Sequence, residues 1–156
     1  MTQPLLNVVL YEPQIPPNTG NIGRSCVALN SKLFLVEPLG FELSEKALRR
    51  AGLDYWQDLD VEVVPSFTKI EQTLDCERMF LFSRFATHLY TDVEYRAGDT
   101  LVFGSEPSGL PDEIHKKYAK QLVTIPMPGP IRCLNLSVSA GIAMYEAYRQ
   151  ISQLQS

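Results

Sequence analysis

At 156 residues the chain is long enough for one domain with a substantial core, residues 1–156, and leaves little room for a second. Its 45% hydrophobic and 21% charged residues are those of an ordinary globular protein; no stretch reaches the roughly 18 apolar residues of a membrane span, and the N-terminus lacks the basic-then-apolar pattern of a secretory signal, so a cytoplasmic address is expected. A net charge of −4 excludes a protein that grips nucleic acid by bulk electrostatics, while leaving room for local basic patches.

In chain order, residues 5–11 read as a short buried strand closed by Glu12 and Pro13. Pro16, Pro17, Asn18, Thr19 and Gly20 read as a turn, followed by a helix over residues 21–29 with Ile22, Cys26 and Leu29 on one face. Residues 33–36 form a second apolar strand. Ser44 can cap a helix that runs through Ala51 and ends at Gly52. A third strand covers 61–64, and Ser66 opens a helix that closes near Asp75. Strands at 79–82 and 100–103 flank an irregular stretch, and Pro111 suits the first position of a short helix. The last strand is 122–125. A long helix follows from about Asn135 to Gln153, with Val138, Ile142, Tyr145 and Tyr148 at spacings of three and four, predicting one buried stripe.

Strands alternating with helices predict an α/β fold, with a mainly parallel sheet and helices on both faces. Ligands bind such sheets where loops leave the carboxyl ends of the strands. Three loops qualify. The first, from Pro16 to Arg24, offers Gly20 for close backbone approach and Arg24 about one turn into the helix. Its spacing matches neither a phosphate loop of nucleoside triphosphatases nor a dinucleotide fingerprint, and a capped strand-to-helix turn is the alternative. In the second, Gly104 and Gly109 suit positive φ or tight backbone contact and flank a lone carboxylate, Glu106, an odd choice for a purely structural turn. In the third, Pro126, Pro128 and Pro130 stiffen the chain before Asn135 and Ser137, either of which can cap the last helix.

Other chemistries fit poorly. Ser105, Ser108 and Ser137 lack a G-x-S-x-G elbow, and neither His88 nor His115 is placed as an obvious base, so a serine hydrolase is not expected. Cys26, Cys76 and Cys133 are far apart and outside any C-x-x-C pattern, so neither a disulfide framework nor a zinc site is expected, and with no ligand-like neighbours for the histidines no metal is expected. Lys46, Arg49 and Arg50, and again His115, Lys116, Lys117 and Lys120, read as solvated helix faces.

Taken together, the three loops resemble the signature motifs of the SPOUT methyltransferases, in order. The segments Leu10-Tyr11-Glu12-Pro13, Ile15 to Ile22, Glu37 to Phe41, Arg49 to Tyr55, Phe103 to Glu106, Gly109-Leu110-Pro111 and Ile125-Pro126-Met127 are similar to the TrmL (YibK) subfamily over nearly the whole chain. That resemblance implies a deep trefoil knot near the C-terminus, a homodimer, and S-adenosylmethionine as cofactor with S-adenosylhomocysteine as product. It implies methyl transfer to the ribose 2′-hydroxyl of the wobble nucleotide, position 34, a cytidine or modified uridine in the anticodon region of leucine tRNA. Ribosomal RNA methylation and a non-catalytic RNA-binding factor of the same fold are the alternatives.

The resemblance also implies residue roles. Phe82, Ser83, Gly104, Ile125, Pro126, Met127, Cys133 and Leu134 match the cofactor pocket, and Asn18, Arg24, Glu106 and Asn135 match the polar residues of substrate orientation and catalysis. Arginine stays protonated in proteins, so Arg24 is expected to act as a cation on a phosphate or the developing alkoxide, with Glu106 orienting groups or accepting the proton. Cys133 stands where many relatives have serine and Ser108 where some have arginine.

Overall fold

The computed structural model describes residues 3–44 and 54–154. The helix expected between Ser44 and Ala51, with its Lys46, Arg49 and Arg50, falls largely outside them. Seven strands form one sheet: β1 (Asn7–Tyr11), β2 (Lys32–Val36), β3 (Val61–Val64), β4 (Met79–Phe82), β5 (His88–Leu89), β6 (Thr100–Phe103) and β7 (Leu122–Thr124), in the order β3-β2-β1-β6-β4-β7-β5. Every pairing between these strands is parallel. The helices are α1 (Pro16–Ala28), α2 (Phe67–Thr73), α3 (Asp112–Lys117) and α4 (Leu136–Leu154).

The apolar runs form central strands because both faces of the sheet are covered. Successive residues alternate between two cores: Val8, Leu10, Leu33, Leu35, Leu101 and Phe103 on one side, and Val9, Phe34, Val36 and Val102 on the other. The first core takes Ile22 and Cys26 of α1 and Ala140, Ala143, Met144 and Ala147 of α4. The second takes Phe67 and Ile70 of α2 and Ile114 of α3. Helices therefore cover both faces, as expected.

Three expectations need correction. Helix α1 begins at Pro16, five residues before the expected start: the prolines sit at its first two positions, where a helical N–H has no partner anyway. Arg24 consequently lies in the third turn, not the second. In α4 the expected buried stripe is the exposed one, since Val138, Ile142, Tyr145 and Tyr148 are 36–50% exposed. The buried stripe is its smaller neighbour, Ala140, Ala143, Met144, Ala147 and Ile151, whose short side chains let α4 lie close against α1. The stretch after β4, expected to be irregular, contains β5.

That short strand reveals how the chain is threaded. Phe82 at the end of β4 and His88 at the start of β5 both pair with Val123, from opposite sides of β7. Residues 83–87 therefore carry the chain from one neighbour of β7 to the other.

Candidate active site

The carboxyl ends of β4, β6 and β7 open into a cavity of about 810 Å³, a volume suited to a small-molecule ligand. Asn18 lines it from the first turn of α1. Phe82 and Ser83 come from the exit of β4, Gly104 and Glu106 from that of β6, and Ile125, Met127, Cys133, Leu134 and Asn135 from the segment between β7 and α4. Of the expected cofactor-pocket residues only Pro126 is elsewhere, in a smaller adjoining hollow with Arg84, Phe85 and Arg132.

The exit of β6 is a tight loop. Ser105 and Gly109 exchange backbone hydrogen bonds of 3.2 and 2.7 Å, which requires both glycines for different reasons. Gly109 adopts φ +67°, and a Cβ on Gly104 would meet the Gly109 carbonyl carbon at 2.3 Å. The loop presents Glu106 to the start of α1. Its carboxylate accepts the backbone N–H of Gln14 and of Ile15, each at 2.8 Å, and the Asn18 Nδ2 amide at 3.3 Å. Ile15 is the N-cap of α1 and has no side-chain cap of its own, so Glu106 supplies the anion that a helix start favours. The second loop thus braces the first.

Asn135 caps α4. Its Oδ1 accepts from Ser137 N (2.9 Å), Ser137 Oγ (2.6 Å) and Val138 N (3.4 Å). Capping leaves the Asn135 Nδ2 amide, at the cavity wall, without a partner among the described residues. Arg24 does not line the cavity: it is exposed, with its guanidinium 4.8 Å from the centre of the Tyr55 ring. Burial pushes the Tyr55 hydroxyl above its ordinary pKa, and the Arg24 charge opposes that rise. Gly20 does not line the cavity either. Its carbonyl accepts the Tyr55 hydroxyl, and Gly23 next on that face packs against Leu59, Trp56 and Tyr55.

Sequence reasoning passed over His115. The structure brings its ring to the cavity wall, with Nε2 2.9 Å from Ser83 Oγ and Nδ1 3.2 Å from the Pro111 carbonyl oxygen. The two side chains are 32 positions apart on different elements, so no local pattern announces the pair. Of the basic run that follows, Lys117 pairs with Glu71 at 2.6 Å while remaining exposed. No cluster of three His, Cys, Asp or Glu side chains suited to a metal occurs among the described residues, and none of their helices is long and apolar enough to cross a membrane.

Residues 5–145 match the model of the SpoU rRNA methylase family. The chain belongs to that family. Similar proteins include the tRNA (cytidine(34)-2'-O)-methyltransferase of Saccharophagus degradans, 43% identical over 148 residues, which are 94% of this chain and 96% of that one. The enzyme of the same name from Methylovorus glucosotrophus is 42% identical over 147 residues, again 94% and 96% of the two chains. A solved structure concerned with the 2-OH methylation of C/U34 on tRNA superposes with a TM-score of 0.86 at 43% identity, covering 95% of this chain and 97% of its own. The subfamily resemblance read from the three loops is thereby borne out.

Proposed function

We propose that the chain, acting as one domain, is an S-adenosylmethionine-dependent methyltransferase that modifies the ribose 2′-hydroxyl of the wobble nucleotide, position 34, of tRNA. The observation that carries this reading is the single cavity assembled by the three loops, with Asn18, Glu106 and Asn135 on its wall. The close relatives bearing that activity in their names support it. The cavity suits the cofactor: it combines aromatic and aliphatic side chains with unpartnered polar groups, among them the Asn135 amide.

When bound, the cofactor supplies an already activated methyl group, so the chain's task is orientation and charge. Phe82, Ser83, Gly104, Ile125, Met127, Cys133 and Leu134 hold the cofactor, with Pro126 stiffening the same loop. Glu106 fixes the start of α1, and with it Asn18, so the loop facing the ribose is set before the RNA arrives. With two backbone N–H groups and an amide already donating to it, the Glu106 carboxylate is a positioning group rather than a free base. Asn135 offers its Nδ2 amide to the reacting groups. Arg24, outside the cavity, meets the RNA phosphate or the developing alkoxide as a cation.

The finer reading is that the substrates are leucine tRNAs carrying cytidine or a modified uridine at position 34, and that the enzyme works as a homodimer. The exposed Val138, Ile142, Tyr145 and Tyr148 of α4 support a dimer, since a contiguous apolar helix face in a small chain calls for a covering partner. The deciding experiment incubates the purified protein and S-adenosylmethionine with separate leucine tRNAs, other tRNAs and ribosomal RNA, and maps 2′-O-methylation by mass spectrometry of nuclease digests. Methylation confined to position 34 of leucine tRNAs is expected. Modification of ribosomal RNA alone would overturn the tRNA reading, and modification of many tRNAs would overturn the finer one.

A further inference from the structure

The exit of β4 carries an aromatic ring that neither core uses. Of the seven phenylalanines only Phe85 is exposed, at 70%. A lone exposed apolar side chain means little, but Phe85 shares the hollow beside the cavity with Ile131, which is 65% exposed. The ring is also held in place. The Phe85 N–H donates to Ser83 Oγ and the Ala86 N–H to the Ser83 carbonyl, each at 3.2 Å, and the ring stands edge-on to His115 with centres 6.3 Å apart.

The charge around that ring is of one sign. The Arg84 guanidinium lies 4.6 Å from the centre of the Phe85 ring, and Arg132 lines the hollow from the segment between β7 and α4. Neither arginine has a carboxylate partner among the described residues, and no acidic side chain lines the hollow. In a chain of net charge −4, two unpaired cations beside an exposed ring make a local site for an anion that carries a flat group. A nucleotide of unpaired RNA has both parts: a phosphate for the guanidinium groups and a base face for the ring. The hollow measures about 450 Å³, and Arg84, Phe85, Thr124, Ile125 and Met127 line it and the cavity alike, so the two are contiguous.

We propose that this hollow holds the nucleotide next to the one that is methylated, with Phe85 stacking its base and Arg84 and Arg132 taking its phosphate. The inference rests on the RNA reading above and adds the place where the neighbouring nucleotide is gripped.

Affinity of the intact protein for leucine tRNA tests it, with the RNA either intact or rebuilt with an abasic ribose at position 33 or 35. On the stacked side the abasic ribose should weaken binding by about fivefold or more, the worth of one stacked base. Phe85→Ala should weaken binding of the intact RNA by the same factor and become indifferent to that abasic ribose. Phe85→Trp should bind as the unaltered protein does, whereas Phe85→Leu should behave like the alanine variant, because leucine keeps apolar bulk without a ring face. Replacing both arginines, by Arg84→Gln and Arg132→Gln, should lower the slope of log affinity against log salt by about one. S-adenosylhomocysteine affinity should stay within about twofold throughout, on the scale where 1.4 kcal/mol is tenfold.

An abasic ribose without effect on either side, or with an effect that survives in Phe85→Ala, overturns the proposal. Full binding by Phe85→Leu does so as well. A loss that falls equally on S-adenosylhomocysteine would give the hollow to the cofactor, and an altered sedimentation of Phe85→Ala would give it to a second copy of the chain; either overturns it. An unaltered protein that binds no RNA overturns the RNA reading itself.

Discussion

The two ends of the parallel sheet are built to opposite rules. At the amino end, polar side chains close on the chain itself. Asp99, 2% exposed, takes two bonds from the Arg78 guanidinium, at 2.8 and 2.6 Å, and the Arg96 N–H at 2.7 Å. Gln121 Nε2 donates to the Cys76 and Met79 carbonyls at 2.8 Å, and Asn7 Nδ2 to the Gly98 carbonyl at 3.1 Å. At the carboxyl end the Asn135 amide faces the cavity, and Thr19 Oγ1 in the first turn of α1 is buried without a partner among the described residues. Satisfied groups stabilise a fold and unsatisfied ones cost it, so the amino end supplies stability that lets the carboxyl end keep polar groups free for a ligand.

The comparison breaks first at Arg78. Arg78→Ala strands the buried Asp99 carboxylate, and removing one partner of such a pair costs about 3–5 kcal/mol. Urea unfolding should show that loss as a lower midpoint at unchanged slope. Saturating S-adenosylhomocysteine should still bind the remaining folded protein with ordinary affinity. A variant that keeps its stability but loses the ligand would reverse the roles assigned to the two ends.

Arg24 sharpens the carboxyl-end half. Because it lies outside the cavity, Arg24→Ala should leave S-adenosylhomocysteine affinity nearly unchanged while methyl transfer falls by about a hundredfold or more, the scale of losing one stabilising donor. Arg24→Lys keeps the charge without the planar fork, and partial rescue would identify an electrostatic role. Lost cofactor binding with intact RNA affinity would show that the residue had been assigned to the wrong ligand.

How far the sequence discloses this division depends on distance along the chain. The strands were legible because burial on both faces demands unbroken apolar runs such as Val8-Val9-Leu10 and Leu33-Phe34-Leu35-Val36. The three loops were legible because their glycines and prolines mark backbone conformation locally, and because long motifs carried a resemblance. What stayed hidden was decided by partners far away. Glu106 reaches Gln14 across 92 positions, and the Ser83–His115 pair joins the exit of β4 to α3 across 32 positions. In α4 the bulky residues and the alanines form adjacent stripes, and periodicity alone does not say which one faces α1.

Glu106 and Asn135 each hold a helix start beside the cavity. Glu106→Gln replaces one acceptor oxygen by an N–H that faces a backbone N–H, weakening the brace by about 1–2 kcal/mol. The expected signature is a lower kcat for methyl transfer with little change in S-adenosylhomocysteine affinity, because a misplaced first loop misplaces the ribose rather than the cofactor. Asn135→Ala loses the cap of α4, costing about 1 kcal/mol in thermal or urea unfolding. Asn135→Asp keeps the cap but not the amide donor, so restored stability without restored activity would separate its two roles.

The smallest effect is predicted at Cys133, and it runs in the opposite direction. Its thiol is free and exposed on the cavity wall, and a thiol is a weak donor and a weak acceptor. A serine hydroxyl of nearly the same shape can make the hydrogen bond that the thiol makes poorly. Cys133→Ser should therefore tighten S-adenosylhomocysteine binding by about two- to tenfold, the range of about 0.5–1.5 kcal/mol for one net hydrogen bond. Stability should not move, because an exposed side chain outside both apolar cores contributes little to them. Calorimetry and a thermal melt on the same preparation distinguish the outcomes. A tighter ligand at constant Tm places residue 133 against the cofactor, whereas equal affinity in the two proteins means that this side chain points along the wall and the local recognition is made by backbone alone.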